Sequence, residues 1–436
     1  MFSLAHPAVA SGGKIGVRRM LDEATANVTA SYQDDVQAQA MMRRALARIQ
    51  MDIGDLDGAA HNLDAIPAQA MGDAVGDLER EVLTARLEHY RGQFDPSESR
   101  LRTILADDTP PAQDMEPLLV EAHGILGKVL IERLDYVAAT PVLATAVKRG
   151  RLTLGPDDPV TIEMEAWLGR AEAALVMLGA DNAPDPAAPP PYRSVERVID
   201  VLGPTHPATF LARLADSDRN YITSGSTPDI LATQAAIYAD ASEALGQLHP
   251  RTLETSIELG NMYRATGNLV EAERLLREAI SGYDATYGPG HSHAAMAAGH
   301  LGNVLSATGR WNEAAGVHER VWRTCVELWG PHEVRTVDAR LQMTIALLEL
   351  DRLDEVVNDY PDVLSDYVEY FFTGRSPDYY QLRMSYLEAA QRAGRHDLLE
   401  AEATALRRDI EAHLDTGSDF AVALLDRIDA LDQQGP

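Results

Sequence analysis

The stretch IELGNMYRATGNLVEAERLLREAI, residues 257–280, decides how the chain folds. Apolar positions recur in it at helical spacing, Thr266, Gly267 and Asn268 interrupt them as a turn, and a second amphipathic run follows, which together spell a helical hairpin. Residues 301–322, LGNVLSATGRWNEAAGVHERVW, write the same hairpin one period later.

Working outward, the connections between hairpins repeat too. The segments LGPDDPVT at 154–161, LGPTHPAT at 202–209, LGQLHPRT at 245–252, YGPGHSHA at 287–294 and WGPHEVRT at 329–336 are one loop written five times. A fixed period of about 42 residues is the signature of a helical solenoid. The turn inside each hairpin can be followed through Gly54, Gly92, Leu134, Val176, Gly225, Gly267, Gly309, Asp351 and Gly394. One long step contains the run DNAPDPAAPPPY at 181–192, whose prolines cannot donate backbone hydrogen bonds, so a surface insertion is expected there. Small residues stand seven positions before the turns (Ala47, Ala85, Gly127, Gly169, Gly260, Gly302) and five after them (Ala59, Ala139, Ala272, Ala314), where paired helices must approach closely.

Composition narrows the function. The 436 residues hold 38 Lys and Arg against 67 Asp and Glu, a formal charge of −29, which argues against nucleic-acid or anionic-membrane partners. The single cysteine, Cys325, allows no internal disulfide and no thiolate zinc site, and fits a reducing cytoplasm. Neither an export signal nor a membrane-length apolar run is read. The Ser11-GGKIG start lacks the spacing of a phosphate-binding loop. His206, His249, His291, His293 and His332 fall mostly once per repeat in the loops and read as helix-start residues rather than metal ligands. No catalytic constellation, metal site or cofactor is expected.

The runs LGNMYRATGNLVEAE, LGNVLSATGRWNEAA and LGKVLIERLDYVAA (from Leu126) resemble tetratricopeptide repeats. The 42-residue period and the Gly-x-x-His-Pro-x-Thr loops at Gly203 and Gly246 are similar to the kinesin-light-chain subtype. The stretch from Val17 to Ile49 is similar to tetratricopeptide regions of bacterial serine/threonine kinases, although no kinase motif is present. The resemblance implies an all-α, right-handed superhelical solenoid of about nine helical hairpins, whose first helices line a concave groove for peptides or partner proteins.

The expected organisation is a flexible start at 1–16, N-terminal repeats at 17–180, a Pro-rich insertion at 181–191, C-terminal repeats at 192–360, divergent capping helices at 361–425 and a tail at 426–436. Six positions before each turn, by family geometry, stand Arg48, Arg86, Lys128, Arg170, Arg219, Asn261, Asn303, Ile345 and Glu388, and the candidate groove residues are the first seven with Arg44, Arg264 and His300 beside them. Guanidinium forks suit carboxylates, so this stripe points to an acidic peptide or one ending in a free carboxylate, held through its backbone by Asn261 and Asn303. A competing reading pairs the cations with Glu79, Glu121 and Glu163 on the same faces. The functional expectation is a non-enzymatic interaction scaffold or adaptor. The alternative is the regulatory or sensor region of a signalling system. The aromatic segment 366–386 reads as a sealed end of the solenoid or a binding patch.

Overall fold

The computed structural model describes residues 13–32, 34–70, 72–106, 112–180, 182–185, 190–225, 228–358, 363–364 and 377–433. All regular structure among them is helical. They gather into two compact units, Met1–Ala294 and Ala295–Pro436.

In the first unit α1 (Gly13–Ser31) leads into antiparallel pairs: α2 (Val36–Asp52) with α3 (Leu56–Asp64), α4 (Ala74–Tyr90) with α5 (Phe94–Leu105), and α6 (Glu116–Glu132) with α7 (Tyr136–Thr153). Then come α8 (Pro159–Met177), the short α9 (Val195–Leu202), which packs against the helix after it, α10 (Pro207–Ser224) with α11 (Pro228–Leu245), and α12 (Pro250–Ala265) with α13 (Leu269–Tyr287). Local chemistry sets the helix starts. Asp35, Asp55 and Asp135 accept from backbone N–H groups three residues on, and proline fills the first position of α8, α10 and α12, where its missing N–H is harmless.

Eight of the nine expected turn residues take positive φ, including Leu134 at 61° and Asp351 at 57°. The ninth does not. Val176 lies inside α8, and the turn is made by Gly179, φ 63°, three residues later. The reason lies in the insertion: its last residues are not mere surface, because Tyr192 is buried and fills the slot over Gly169 that a second helix fills elsewhere. Its hydroxyl donates to the carbonyl of Ala215 at 3.2 Å.

The small residues stand where close approach requires them. Ala47, Ala59, Ala85, Ala139 and Ala272 are all fully buried. A Cβ added to Gly127 would lie 2.4 Å from Leu143 Cδ2, and one on Gly260 would meet Leu276 Cγ at 3.0 Å.

The second unit holds α14 from Ala295 onward (the helix is Ser292–Ala307), α15 (Trp311–Trp329), α16 (Val334–Glu349), α17 (Pro377–Arg392), α18 (His396–His413) and α19 (Asp419–Gln433). Here Gly302 abuts the ring of buried His318. Tyr379, Tyr380 and Tyr386 are core residues, with Tyr380 edge-on to Tyr379 and Phe420. Tyr367, Tyr370, Phe371 and Phe372 lie outside the described residues.

Both expected chain ends need correction. Helix α1 begins at Gly13, inside the stretch expected to be flexible, and it is held by Leu21 and Val28 packing with Leu46. Helix α19 runs to Gln433, inside the expected tail, anchored by the buried Leu424 and Ile428.

Candidate functional site: an aromatic and ionic cavity inside the first unit

The loop of the 42-residue repeat is a capping device. Gly155, Gly203, Gly246, Gly288 and Gly330 share φ near 86–97°. Three residues later a polar side chain caps the next helix: Asp158 accepts from Val160 N–H, His206 from Ala208, His249 from Arg251, His291 from His293 and Glu333 from Arg335. A capping histidine accepts through Nδ1, so its proton sits on Nε2.

The predicted cations follow one rule down the first helices: a carboxylate on one helix binds cations of the helices before it. Glu79 of α4 accepts from Arg44 Nε at 2.7 Å and faces Arg48 at 3.6 Å. Glu121 of α6 holds Arg48 at 3.0 Å and Arg86 at 3.1 Å. Glu163 of α8 holds Lys128 at 2.6 Å. The direction reverses at Arg170, which reaches forward to Asp218 at 2.8 Å, Glu254 at 2.7 Å and Glu258 at 2.5 Å. These helices are therefore cross-linked by an ionic ladder, and the inner face is not the bare cationic line the sequence suggests.

The ladder tunes its own groups. Burial alone would raise the Glu163 carboxyl, but Lys128 and Arg251 outweigh it and hold it at about 2. For Asp218 burial wins over Arg170 and pushes the carboxyl up to about 6. Arg264 donates through Nε to the side-chain oxygen of Asn261 at 3.0 Å. Arg219 lines a small recess with Tyr192 and Glu172. His300 and Asn303 are half-buried on α14, in the second unit.

Of the ten predicted groove residues, Lys128 lines a cavity of about 440 Å³ within the first unit. Each first helix from α2 to α12 contributes to its wall in turn, through Asp52, His89, Lys128, Trp167, Pro207 and Arg251. What closes it was missed from sequence. The end of α13 and the loop after it return to the first hairpins, so that Gly54 sits against Thr286 and Tyr287, and His293 Nε2 lies 3.2 Å from Glu132. His249, His291 and His293 therefore line one space, although their spacing in sequence suggests separation. The signal that could have found this wall is the pair Tyr283 and Tyr287 beside His291 and His293, four rings within eleven residues.

Those rings form a stack. His291 lies 4.6 Å from Tyr287 and 5.5 Å from Tyr283, nearly parallel to the latter, and His293 lies 5.2 Å from Tyr283. Burial pushes both His291 and His89 down to about 3, so both are neutral at physiological pH. Trp167, also in the lining, carries three cations near its ring, Lys128 at 6.0 Å, Arg170 at 5.5 Å and Arg251 at 5.7 Å.

Among the described residues no cluster of His, Cys, Asp and Glu is arranged to hold a metal ion. Cys325 is buried, with its thiol pushed up to about 12 by burial, which makes it a packing residue. No helix among the described residues is long and apolar enough to cross a membrane.

Residues 251–325 match the sequence model of the tetratricopeptide repeat. No curated protein matches the chain. Among solved structures it is similar to a Rap protein complexed with Competence and Sporulation Factor, at 11% identity over 91% of this chain and 98% of that one, with a TM-score of 0.51. It is also similar to a signal-transduction ATPase with numerous domains, carrying a tetratricopeptide-repeat sensor, from Pyrococcus horikoshii. That match has 12% identity over 90% and 57% of the two chains, with a TM-score of 0.51. A putative kinesin light chain repeat protein from Podospora anserina matches at 17% identity over 47% of this chain and 95% of that one, with a TM-score of 0.41. The first two of these likenesses show the fold.

Proposed function

The chain being a tetratricopeptide-repeat protein, we propose that it is a non-enzymatic interaction scaffold whose first unit holds an extended segment of a partner protein or peptide along its inner face. The observation that carries this reading is the cavity of about 440 Å³ to which each first helix from α2 to α12 contributes. A space of that size falls in the range of ligand sites and is larger than an isolated packing defect. The ladder from Arg44 to Arg170 fixes those helices relative to one another and so pre-organises the surface, which lowers the entropy lost on binding. In this reading Lys128 touches the partner, Arg44, Arg48, Arg86 and Arg170 hold the groove's shape, and Arg219, Asn261 and Arg264 meet polar groups of the partner's backbone farther along.

The alternative, a sensor or regulatory region that reports ligand binding to a signalling partner, is in keeping with two structural neighbours: a Rap protein solved with a signalling factor, and an ATPase whose repeats are described as a sensor. Both readings place the ligand in the same groove. The test is selection of binders from a random dodecapeptide library, followed by hydrogen exchange of the complex. Protection is expected on α4, α6, α8 and α12. Protection confined to the outer helices α5, α7 and α13 would overturn the assignment.

A further inference from the structure

The charged groups that line the cavity are spent on partners within the protein. Lys128 binds Glu163 at 2.6 Å, and Arg251 pairs with Glu254, which Arg170 also holds at 2.7 Å from outside the lining. Glu132 lies 3.2 Å from His293 Nε2. Asp52 faces Arg86 at 4.0 Å, and with 58% of its side chain exposed it is screened by water as well. Both cations of the lining therefore meet a carboxylate, and each of its four carboxylates meets a proton donor.

The histidines add no charge. His249 and His291 each accept a helix-cap bond through Nδ1, His291 donates through Nε2 to Tyr90, and burial keeps both His89 and His291 neutral. The lining also includes Met51, Trp167, Pro207 and Pro250, whose side chains are mostly carbon. Pro207 and Pro250 stand at the same place one repeat apart, at the first position of α10 and α12. The His-Pro loop that starts those helices thus also delivers an apolar ring to the cavity from each of them.

We propose that this cavity is the anchor site for an uncharged apolar side chain, such as leucine or methionine, carried by the bound segment. A charged side chain of either sign would leave water and regain a counter-charge only by breaking an existing pair, which strands the group displaced. An apolar side chain meets neither cost and gains by burying its own surface. The ion pairs therefore select by staying paired, and the cationic stripe that suggests an acidic peptide is no guide to this space. A cavity of about 440 Å³ admits such a side chain together with the backbone that carries it. The inference rests on the groove reading and adds the chemistry of its anchor.

The test is calorimetric titration of the full chain with capped alanine–serine dodecapeptides that differ at one central position, Leu, Met, Gln, Arg or Glu. The Leu and Met peptides are expected to bind about tenfold more tightly than the Gln peptide, and the Arg and Glu peptides more weakly than Gln. Glu163→Gln leaves the Lys128 ammonium without its carboxylate, so it should strengthen binding of the Glu peptide by about tenfold while the Leu peptide changes little. Glu254→Gln, which takes the same partner from Arg251, repeats this test if Glu163→Gln does not fold. A variant that keeps the wild-type order of affinities would place the anchor outside this cavity and overturn the proposal. Equal or absent binding across the five peptides, or an Arg or Glu peptide binding more tightly than Leu, with binders recovered from the random library, would overturn the uncharged anchor and leave the groove reading standing. Binding by no peptide, here and in the library, would overturn both.

Discussion

The imidazole of His291 donates through Nε2 to the carbonyl of Tyr90 at 2.8 Å, across 201 residues of chain, while its Nδ1 accepts from the backbone N–H of His293. Both nitrogens are committed, so a second proton could enter only by breaking the helix cap.

That arrangement makes the first unit sensitive to acid. His291 and His89 are held at about 3 by burial, whereas in the unfolded chain each titrates near about 6.5. Between those values the unfolded state binds more protons, so stability falls as pH drops from about 6.5 toward 3, by up to about 1.4 kcal/mol per pH unit for each ring. Denaturation midpoints should therefore decline between pH 7.5 and 5.5. His291→Asn keeps a capping oxygen and removes the titration, so its midpoint should decline less. An equal slope in both proteins would refute the assignment.

Glycine at the helix crossings should tolerate alanine unequally. At Gly302 an added Cβ would lie 2.3 to 2.8 Å from three ring atoms of His318, a rigid group that is itself buried. Overpacking of that kind costs about 1–3 kcal/mol, more than the roughly 0.5–1 kcal/mol alanine gains over glycine within a helix. Gly302→Ala is expected to destabilise. At Gly260 the nearest atoms are the end of Leu276 at 3.0 and 3.2 Å, which can yield, and alanine there should be near neutral in urea titration.

Leu134 holds a left-handed conformation in a turn that glycine makes elsewhere, and its side chain is 38% exposed. Relieving that conformation is worth about 1–2 kcal/mol, less glycine's entropic cost, so Leu134→Gly should stabilise by up to about 1 kcal/mol. Asp351→Gly should gain less, because Asp351 also binds Arg392. A lower melting temperature for Leu134→Gly would count against the turn geometry.

Arg170 neutralises three carboxylates at once. Arg170→Met is expected to destabilise by about 3–5 kcal/mol, the range for a buried pair broken on one side, because Asp218, Glu254 and Glu258 would then face one another. The loss should be smaller at pH 5 than at pH 8, since protonating Asp218 relieves part of the repulsion. A loss independent of pH would mean that Arg170 contributes packing alone.

Much of this fold was legible because a repeat writes each constraint several times. The period located the turn at Leu134 and at Asp351 without a glycine to mark either, and the spacing to Ala47 and Gly260 gave the helix crossings. The period failed at Val176, where a single copy departs from the pattern and Tyr192, outside the repeat, takes over the packing. The ion pairs were half legible. Glu121 is seven residues from Lys128 in sequence yet binds Arg48 and Arg86, because side chains on stacked first helices meet across the stack rather than along it. The ring wall was not legible at all, since whether residue 291 returns to residue 90 depends on small rotations summed over five hairpins.

Open repeat arrays are nearly one-dimensional: each unit touches its neighbours, ends fray, and order can spread from any starting point. The contact from His291 to Tyr90 changes that for the first unit. It gives the N-terminal hairpins a second neighbour and turns a row into a loop whose closure involves 201 residues of chain. Such a contact carries a large closure entropy and is expected to form after the local stacking and to open before it. Hydrogen exchange should then find the His293 amide opening at lower free energy than amides in the middle of α6. The seam between Tyr90 and His291 is then the place where the loop opens first.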